Sequence, residues 1–114
     1  MKTILTSLFL VVMTISFGQT QQTPTLFAQC MFDIQDQQEM QTLETELKMH
    51  PYTNIVRLDW HTQRAFVLTM GLNDLTEEDF RSWFGDYGES LTCIQIGVHG
   101  IDVVNPYPFE NCEE

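Results

Sequence analysis

The chain is poor in basic residues: its 114 residues include 5 lysines and arginines against 16 aspartates and glutamates, a net charge of -11. Nucleic acid and anionic membrane surfaces are therefore disfavoured as partners, because both are bound by clustered lysine and arginine. Three cysteines are too few to build a disulfide scaffold, so an apolar core must supply most of the stability. The 43% hydrophobic content excludes a disordered acidic tail, and the length fits one domain.

A secretory signal peptide is predicted over residues 1–18. Lys2 supplies a positive start, residues 4–15 are mostly apolar, and Ser16-Phe17-Gly18 places small residues at the -3 and -1 positions of a cleavage site. The apolar stretch is shorter than the roughly 20 residues of a membrane span, which favours cleavage over anchoring. We therefore expect an exported protein, periplasmic or extracellular, that has no membrane attachment after cleavage.

The mature chain opens with a polar leader, residues 19–25, and then alternates apolar and polar residues from Leu26 as a strand does. Asp36 is expected to begin a helix by accepting hydrogen bonds from its unpaired N–H groups, and Glu39 can reach back from the first turn. The pair His50-Pro51 ends this helix, because the residue before proline is steered away from helical angles.

The second half of the chain repeats the pattern with a hairpin, a helix and a strand. Two β-rich runs, residues 54–59 and 64–70, flank a short loop. Thr76 begins a second helix and Gly88 is expected to end it. Residues 92–98 form a fourth strand. An aromatic stripe on the second helix is expected to pack in the core: Phe80, Trp83, Phe84 and Tyr87.

The predicted element order, strand, helix, strand, strand, helix, strand, defines the fold class. Two right-handed crossovers then give an α+β, ferredoxin-like βαββαβ sandwich, in which two helices cover one face of a four-stranded antiparallel sheet. The domain is expected over residues 26–99, and residues 100–114 form a C-terminal tail that packs on it.

Residues 34–67 include Leu47-Lys48-Met49-His50-Pro51 and Ile55-Val56-Arg57-Leu58-Asp59, and on these residues the segment resembles the heavy-metal-associated domain of metallochaperones and metal-pumping ATPases. Leu47-Lys48-Met49-His50-Pro51 is similar to the family's helix end, typically Leu-Lys-x-Leu-Pro. Ile55-Val56-Arg57-Leu58-Asp59, followed by Thr62, Arg64 and Val67, is similar to its following hairpin. The resemblance covers about a third of the chain and implies the same scaffold.

The family binds soft metals through Met-x-Cys-x-x-Cys at the start of the first helix, and this chain lacks both cysteines. The ungapped match places Ile34 at the methionine, and Asp36 and Glu39 at the cysteines. Soft Cu(I) prefers sulfur whereas carboxylates suit harder ions, so the resemblance implies the scaffold without the usual metal site. Helix capping is the ordinary role for these two acids.

The three cysteines allow one disulfide or a weak metal cluster. In the fourth strand the apolar residues make the buried side, so Cys93 points away from the helices while Cys30 points toward them. A Cys93–Cys112 disulfide follows if the tail folds back across the open side of the sheet. The alternative is a copper or zinc site that gathers Cys93, His99 and Cys112, helped by Met49 and His50; their spacing matches no compact ligand motif.

An apolar set is expected on the sheet face opposite the helices: Phe27, Met31, Phe66, Leu68 and Met70. Such a face is usually polar in a solitary domain, so it needs a cover. Either the apolar tail residues Ile101, Val103, Val104, Tyr107 and Phe109 lie over it, or a partner protein docks there.

No recognisable catalytic set is present. The histidines have no evident serine or cysteine partner, Cys30 is expected to be buried, and the loop of residues 33–36 lacks the glycine and arginine that phosphate binding needs. The sequence therefore predicts an exported, non-catalytic binding module without a cofactor. The alternative is an extracytoplasmic protein that binds copper or zinc.

The predicted cleavage gives the first test. We expect the exported protein to begin at Gln19, because Gly18 is the last small residue of the cleavage motif. Tandem mass spectrometry of the N-terminal peptide of the exported protein measures this directly. An intact N-terminus recovered from the membrane fraction would show instead that the segment anchors the protein.

Overall fold

The computed structural model describes residues 23–110 and 112, and the predicted signal peptide lies outside these residues. The elements along the chain are β1 (Leu26–Met31), α1 (Gln37–Lys48), β2 (Thr53–Asp59), β3 (Arg64–Thr69), α2 (Glu77–Trp83), a 3-10 helix (Gly85–Ser90) and β4 (Thr92–Val98).

The strands form one antiparallel sheet in the order β2-β3-β1-β4, which confirms the predicted ferredoxin-like α+β fold. Alternate residues of each strand face the helices, and the core lies between the two layers. It is built from strand residues and from one stripe of each helix, including Ala28, Cys30, Val56, Leu58, Ala65, Val67, Met40, Leu43, Leu47, Phe80 and Phe84.

Both helices begin where the capping residues predict. Asp36 Oδ1 accepts from the N–H groups of Gln38 and Glu39 at 2.9 and 3.2 Å, and Thr76 Oγ1 accepts from Asp79 N at 3.0 Å. Glu39 does not reach back to the cap: its carboxylate accepts a hydrogen bond from the Tyr87 hydroxyl at 2.8 Å. Asp36 alone therefore satisfies the first donors of α1.

The second helix is shorter than predicted, and Gly88 does not end it. Helix α2 ends at Trp83, Gly85 takes a φ of +59°, and the chain continues as the 3-10 helix to Ser90. The Arg81 guanidinium holds this segment against α2 by donating from Nη1 to the carbonyls of Gly88 and Leu91, at 2.9 and 3.0 Å. Gly88 is buried inside the 3-10 helix.

At each edge strand, one backbone N–H group donates to an acid from a neighbouring segment: Glu44 of α1 at β2, and Asp102 of the tail at β4. On β2, Glu44 Oε2 accepts from Leu58 N at 2.9 Å; on β4, Asp102 Oδ2 accepts from Val98 N at 2.7 Å. These contacts blunt the edges against pairing with another chain. In the part of the chain that the structure describes, no helix combines the length and the apolar character that crossing a membrane requires.

The close packing at Gly88 gives a prediction. A Cβ there would lie 2.2 Å from the Arg81 carbonyl oxygen, so Gly88→Ala forces backbone movement and should lower the free energy of unfolding by about 2 kcal/mol or more. Gly85→Ala is the control: it meets no atom within 4 Å, and its positive φ costs only about 1 kcal/mol. Urea denaturation should rank them in that order; equal losses would contradict the packing at Gly88.

Candidate binding groove on the open face of the sheet

The face of the sheet opposite the helices collects most of the side chains that the sequence assigns to an interaction surface. Phe27 pairs with Leu68, Met31 pairs with Arg64, and Phe66 lies opposite Gln29. Since paired residues point to the same side of a sheet, Phe27, Met31, Phe66 and Leu68 share this open face. Met70 follows the end of β3 and is 51% exposed.

The tail crosses this face over β1 and β4, held by polar contacts. Gln29 Nε2 donates to Gln95 Oε1 at 2.8 Å and to the Asn105 carbonyl at 3.0 Å. Gln95 completes the network: its Nε2 donates to the Val103 carbonyl, and its Oε1 accepts from Asn105 N, both at 2.9 Å. The sequence analysis missed both glutamines. Their position on the open face, opposite one another in β1 and β4, follows from strand alternation and is the signal that could have found them.

The end of the tail is fixed by a Cys93–Cys112 disulfide, as predicted. Cys93 lies at an irregularity in the pairing of β1 with β4 and has a φ of +56°, in the left-handed region. Its Cα lies 5.1 Å from that of Cys112, 19 residues along the chain. In the chain-entropy treatment, closing a loop of this length stabilises the fold by about 3 kcal/mol.

The expectation that apolar tail side chains cover the sheet is wrong for most of them. Ile101 and Val103 are 79% and 81% exposed, and Val104 and Tyr107 are 38% and 43% exposed. Of the predicted set, only Phe109 is half-buried. The reason is that the tail presents backbone carbonyls to the two glutamines, which turns its side chains outward.

Phe27 is the one member of the predicted interaction surface that is fully buried. Its ring approaches Gly97, where an added Cβ would lie 2.8 Å from two ring atoms and 3.0 Å from Asp102 Cβ. On its other side the ring is nearly parallel to that of Phe66, with centroids 6.4 Å apart. Phe27 therefore packs beside Phe66 and beneath the start of the tail, and it is not accessible to a partner.

The tail leaves the β2–β3 half of the open face accessible. Ile55 is 39% exposed beside its pairing partner Leu68, and Phe66 and Leu68 are half-buried. The groove, as we name it, runs between this half of the sheet and the tail. It includes a cleft of about 440 Å³ lined by Gln29, Arg57, Asp59, Arg64, Ala65, Phe66, Val104, Asn105, Pro106 and Tyr107.

Charged groups lie at the β2–β3 turn end of the groove. Arg57 and Arg64 are diagonal neighbours on the open face, since Arg57 pairs with Phe66 and Asp59 pairs with Arg64. The pKa of Asp59 is lowered, first by the hydrogen bond from the Thr62 hydroxyl at 2.6 Å, so this carboxylate stays ionised. The sequence analysis missed the two arginines, although the hairpin register already places them on one face.

The positions of the cysteines bear on the alternative of a copper or zinc site. Burial raises the pKa of the Cys30 thiol to about 12, so it remains protonated and shielded from reagents. Cys93 and Cys112 are joined, so in this state neither offers a thiolate to a metal. His99 is exposed beyond the far end of β4, six residues from Cys93. Within residues 23–110 and 112, no three histidine, cysteine or acidic side chains are grouped as a metal site.

A second cavity, of about 550 Å³, lies between α1 and the 3-10 helix. Asp36, Glu39, Glu46 and Asp86 are among the residues that line it. The Glu39 carboxylate raises the pKa of Tyr87 because it accepts that hydroxyl's hydrogen bond. Asp36 caps α1, so both Asp36 and Glu39 have structural partners in this region.

Comparison of the chain with protein-family models, curated proteins and solved structures finds no significant match. The proposal for function below therefore rests on the fold and the groove.

The cysteine arrangement predicts the thiol count. Denatured without reductant, the protein should show one reactive thiol per chain; folded at pH 8 it should show almost none, because Cys30 is buried and its pKa is about 12. A colorimetric thiol assay measures both states, and Cys30→Ala should reduce the denatured count to zero. Three thiols in the denatured protein would show that the tail is not pinned.

Proposed function

We propose that the protein is an exported, non-catalytic binding module that receives a segment of a partner protein in the groove. We further propose that its scaffold resembles the heavy-metal-associated domain and lacks the usual metal site of that domain. The observation that carries the proposal is the half-covered sheet: the tail buries Phe27 and Gln29 and leaves Ile55, Phe66 and Leu68 accessible.

Apolar exposure in the groove supports binding. Ile55 and Met70 are 39% and 51% exposed, and across the groove Val104 is 38% exposed. Apolar side chains concentrated on both walls of one groove mark a binding surface better than scattered ones do. Phe66, stacked on the buried Phe27, gives the groove a rigid floor.

The size of the groove favours an extended segment over a large folded surface. A stable interface between two folded proteins buries roughly 800 Å² on each partner, far more than a few half-exposed side chains can supply. Strand β3 runs along the groove and presents Arg64, Phe66 and Leu68 to it, so an extended segment of similar length can follow the strand. Affinity in the micromolar range is the expectation for such a contact.

Export is supported by the signal-peptide pattern and is compatible with the Cys93–Cys112 disulfide, which persists in oxidising compartments. The burial of Cys30 and the pairing of the other two cysteines leave no reactive thiol at the surface, which supports binding over thiol-dependent catalysis.

A capture experiment tests the function. The immobilised mature protein, its Ile55→Gln/Met70→Gln variant and a Met49→Gln control are exposed to the extracytoplasmic proteins of the producing cell. Bound proteins are quantified by mass spectrometry. We expect the double variant to lose capture of the partner about tenfold or more, because two apolar contacts worth roughly 1 kcal/mol each are removed.

Met49 is a matched control because it is a 78% exposed methionine that caps α1 and lies outside the groove. Met49→Gln should capture the partner as well as the wild type does, and all three proteins should unfold at similar urea concentrations. If the double variant captures the same proteins at the same level, or if the wild type captures none above a blank surface, the groove does not bind a partner.

A further inference from the structure

Cationic side chains are scarce in this protein, and two of them meet in the groove. The described residues include four basic side chains, Lys48, Arg57, Arg64 and Arg81. Arg81 is committed to two backbone carbonyls and lies 3.9 Å from Glu77. Lys48 ends α1 in the helical layer. Arg57 and Arg64 both line the same cleft, which gives this cleft a charge opposite to that of the whole chain.

Two contacts hold the Arg64 guanidinium in place. Its guanidinium carbon lies 4.6 Å from the centroid of the Tyr107 ring, a cation–π contact, and its Nε donates to Thr62 Oγ1 at 3.3 Å. Neither contact uses the terminal Nη groups, and no described carboxylate lies within salt-bridge distance of Arg57 or Arg64. A fixed guanidinium loses less entropy when it binds an anion, and its planar fork matches a carboxylate.

Asp59 limits the charge that the cleft can accept. It is the one acid among the lining residues, so with two arginines the cleft carries a net charge of +1. Asp59 accepts hydrogen bonds from Thr62 Oγ1 at 2.6 Å and from His61 N at 3.2 Å, which commits it to the β2–β3 turn. A single carboxylate balances this charge.

Most of the described acids lie outside this cleft. Glu46, Glu77, Glu78 and Asp79 belong to the helical layer on the opposite side of the sheet, whereas Glu44 reaches the β2 edge and accepts from Leu58 N at 2.9 Å. Within the cleft itself, the two arginines outnumber the one acid, Asp59.

We propose that Arg57 and Arg64 bind a carboxylate of an extended peptide segment whose apolar neighbour packs between Phe66 and Val104. The segment belongs to the partner protein, so this inference rests on the proposed function and adds the chemistry of its ligand. The carboxylate lies at the turn end of the groove, and the apolar side chain lies along β3.

Selection from a library of random heptapeptides displayed on phage tests the ligand chemistry. The immobilised mature protein should enrich peptides that carry aspartate or glutamate next to an aliphatic or aromatic residue. An enriched peptide, synthesised with a fluorescent label, is then titrated with wild-type protein and with Arg57→Gln, Arg64→Gln and Lys48→Gln. Since a charge-assisted hydrogen bond contributes about 1.5 kcal/mol or more, each arginine variant should bind about tenfold more weakly.

The controls separate a specific contact from general attraction. Lys48→Gln removes the same charge outside the groove and should bind as the wild type does. Replacing the peptide's acidic residue with its amide should weaken binding to the wild type about tenfold and should not weaken binding to the double variant Arg57→Gln/Arg64→Gln any further. Sodium chloride should weaken binding to the wild type more steeply than binding to either arginine variant.

Each alternative outcome has its own reading. Enriched peptides that lack acidic residues but lose affinity with Ile55→Gln/Met70→Gln would overturn the carboxylate proposal and leave the binding groove intact. Acidic peptides that bind the arginine variants unchanged would overturn it as well. Failure to enrich any peptide that depends on the groove would count against both proposals. A concentration-dependent dimer that is lost in the double arginine variant would assign the groove to a second copy of this chain.

Discussion

The hydrogen-bonded amide pair of Gln29 and Gln95 is the contact on which the open face depends. Gln29 is only 5% exposed, and a buried amide that lost its partners would cost about 1–3 kcal/mol. Its donors are satisfied by Gln95 and by the tail carbonyl of Asn105, so the path of the tail is set by the sheet itself. Once that path is fixed, Phe27 is covered, Tyr107 lies over Arg64, and the groove has its second wall.

The acids of this protein have structural as well as solvating roles. Glu44 and Asp102 occupy backbone donors on the two edge strands, so an added strand is opposed at β2 and at β4. The helical layer carries its acids outward on the other side. The described arginines that are not bound to backbone lie on the open face. Charge segregation and edge protection therefore both support the open face as the proposed binding surface.

The architecture follows from local signals, whereas the groove depends on contacts between distant segments. Strand alternation, Asp36 and Thr76 as caps, and His50-Pro51 as a helix end each act within a few residues, so they predict the element order correctly. The early end of α2 was not predicted from the sequence, because it depends on hydrogen bonds from Arg81 to the carbonyls of Gly88 and Leu91. The outward orientation of the tail side chains was not predicted for a similar reason. It depends on the amide pair of Gln29 and Gln95, which are 66 residues apart in the sequence. Strand parity set Cys30 and Cys93 on opposite faces of the sheet, which favoured Cys93–Cys112; the pairing also required the tail to fold back across the open face, which parity does not fix.

Asp36 and Glu39 both have structural roles at the start of α1. Asp36 accepts from the first N–H groups of α1, and Glu39 accepts a hydrogen bond from the Tyr87 hydroxyl of the 3-10 helix. A carboxylate that caps a helix needs no ion to neutralise it, because the helix start supplies partial positive charge. The loop before α1 is thereby stabilised by its own hydrogen bonds, whereas Arg57, Arg64 and Phe66 line the cleft on the opposite side of the sheet.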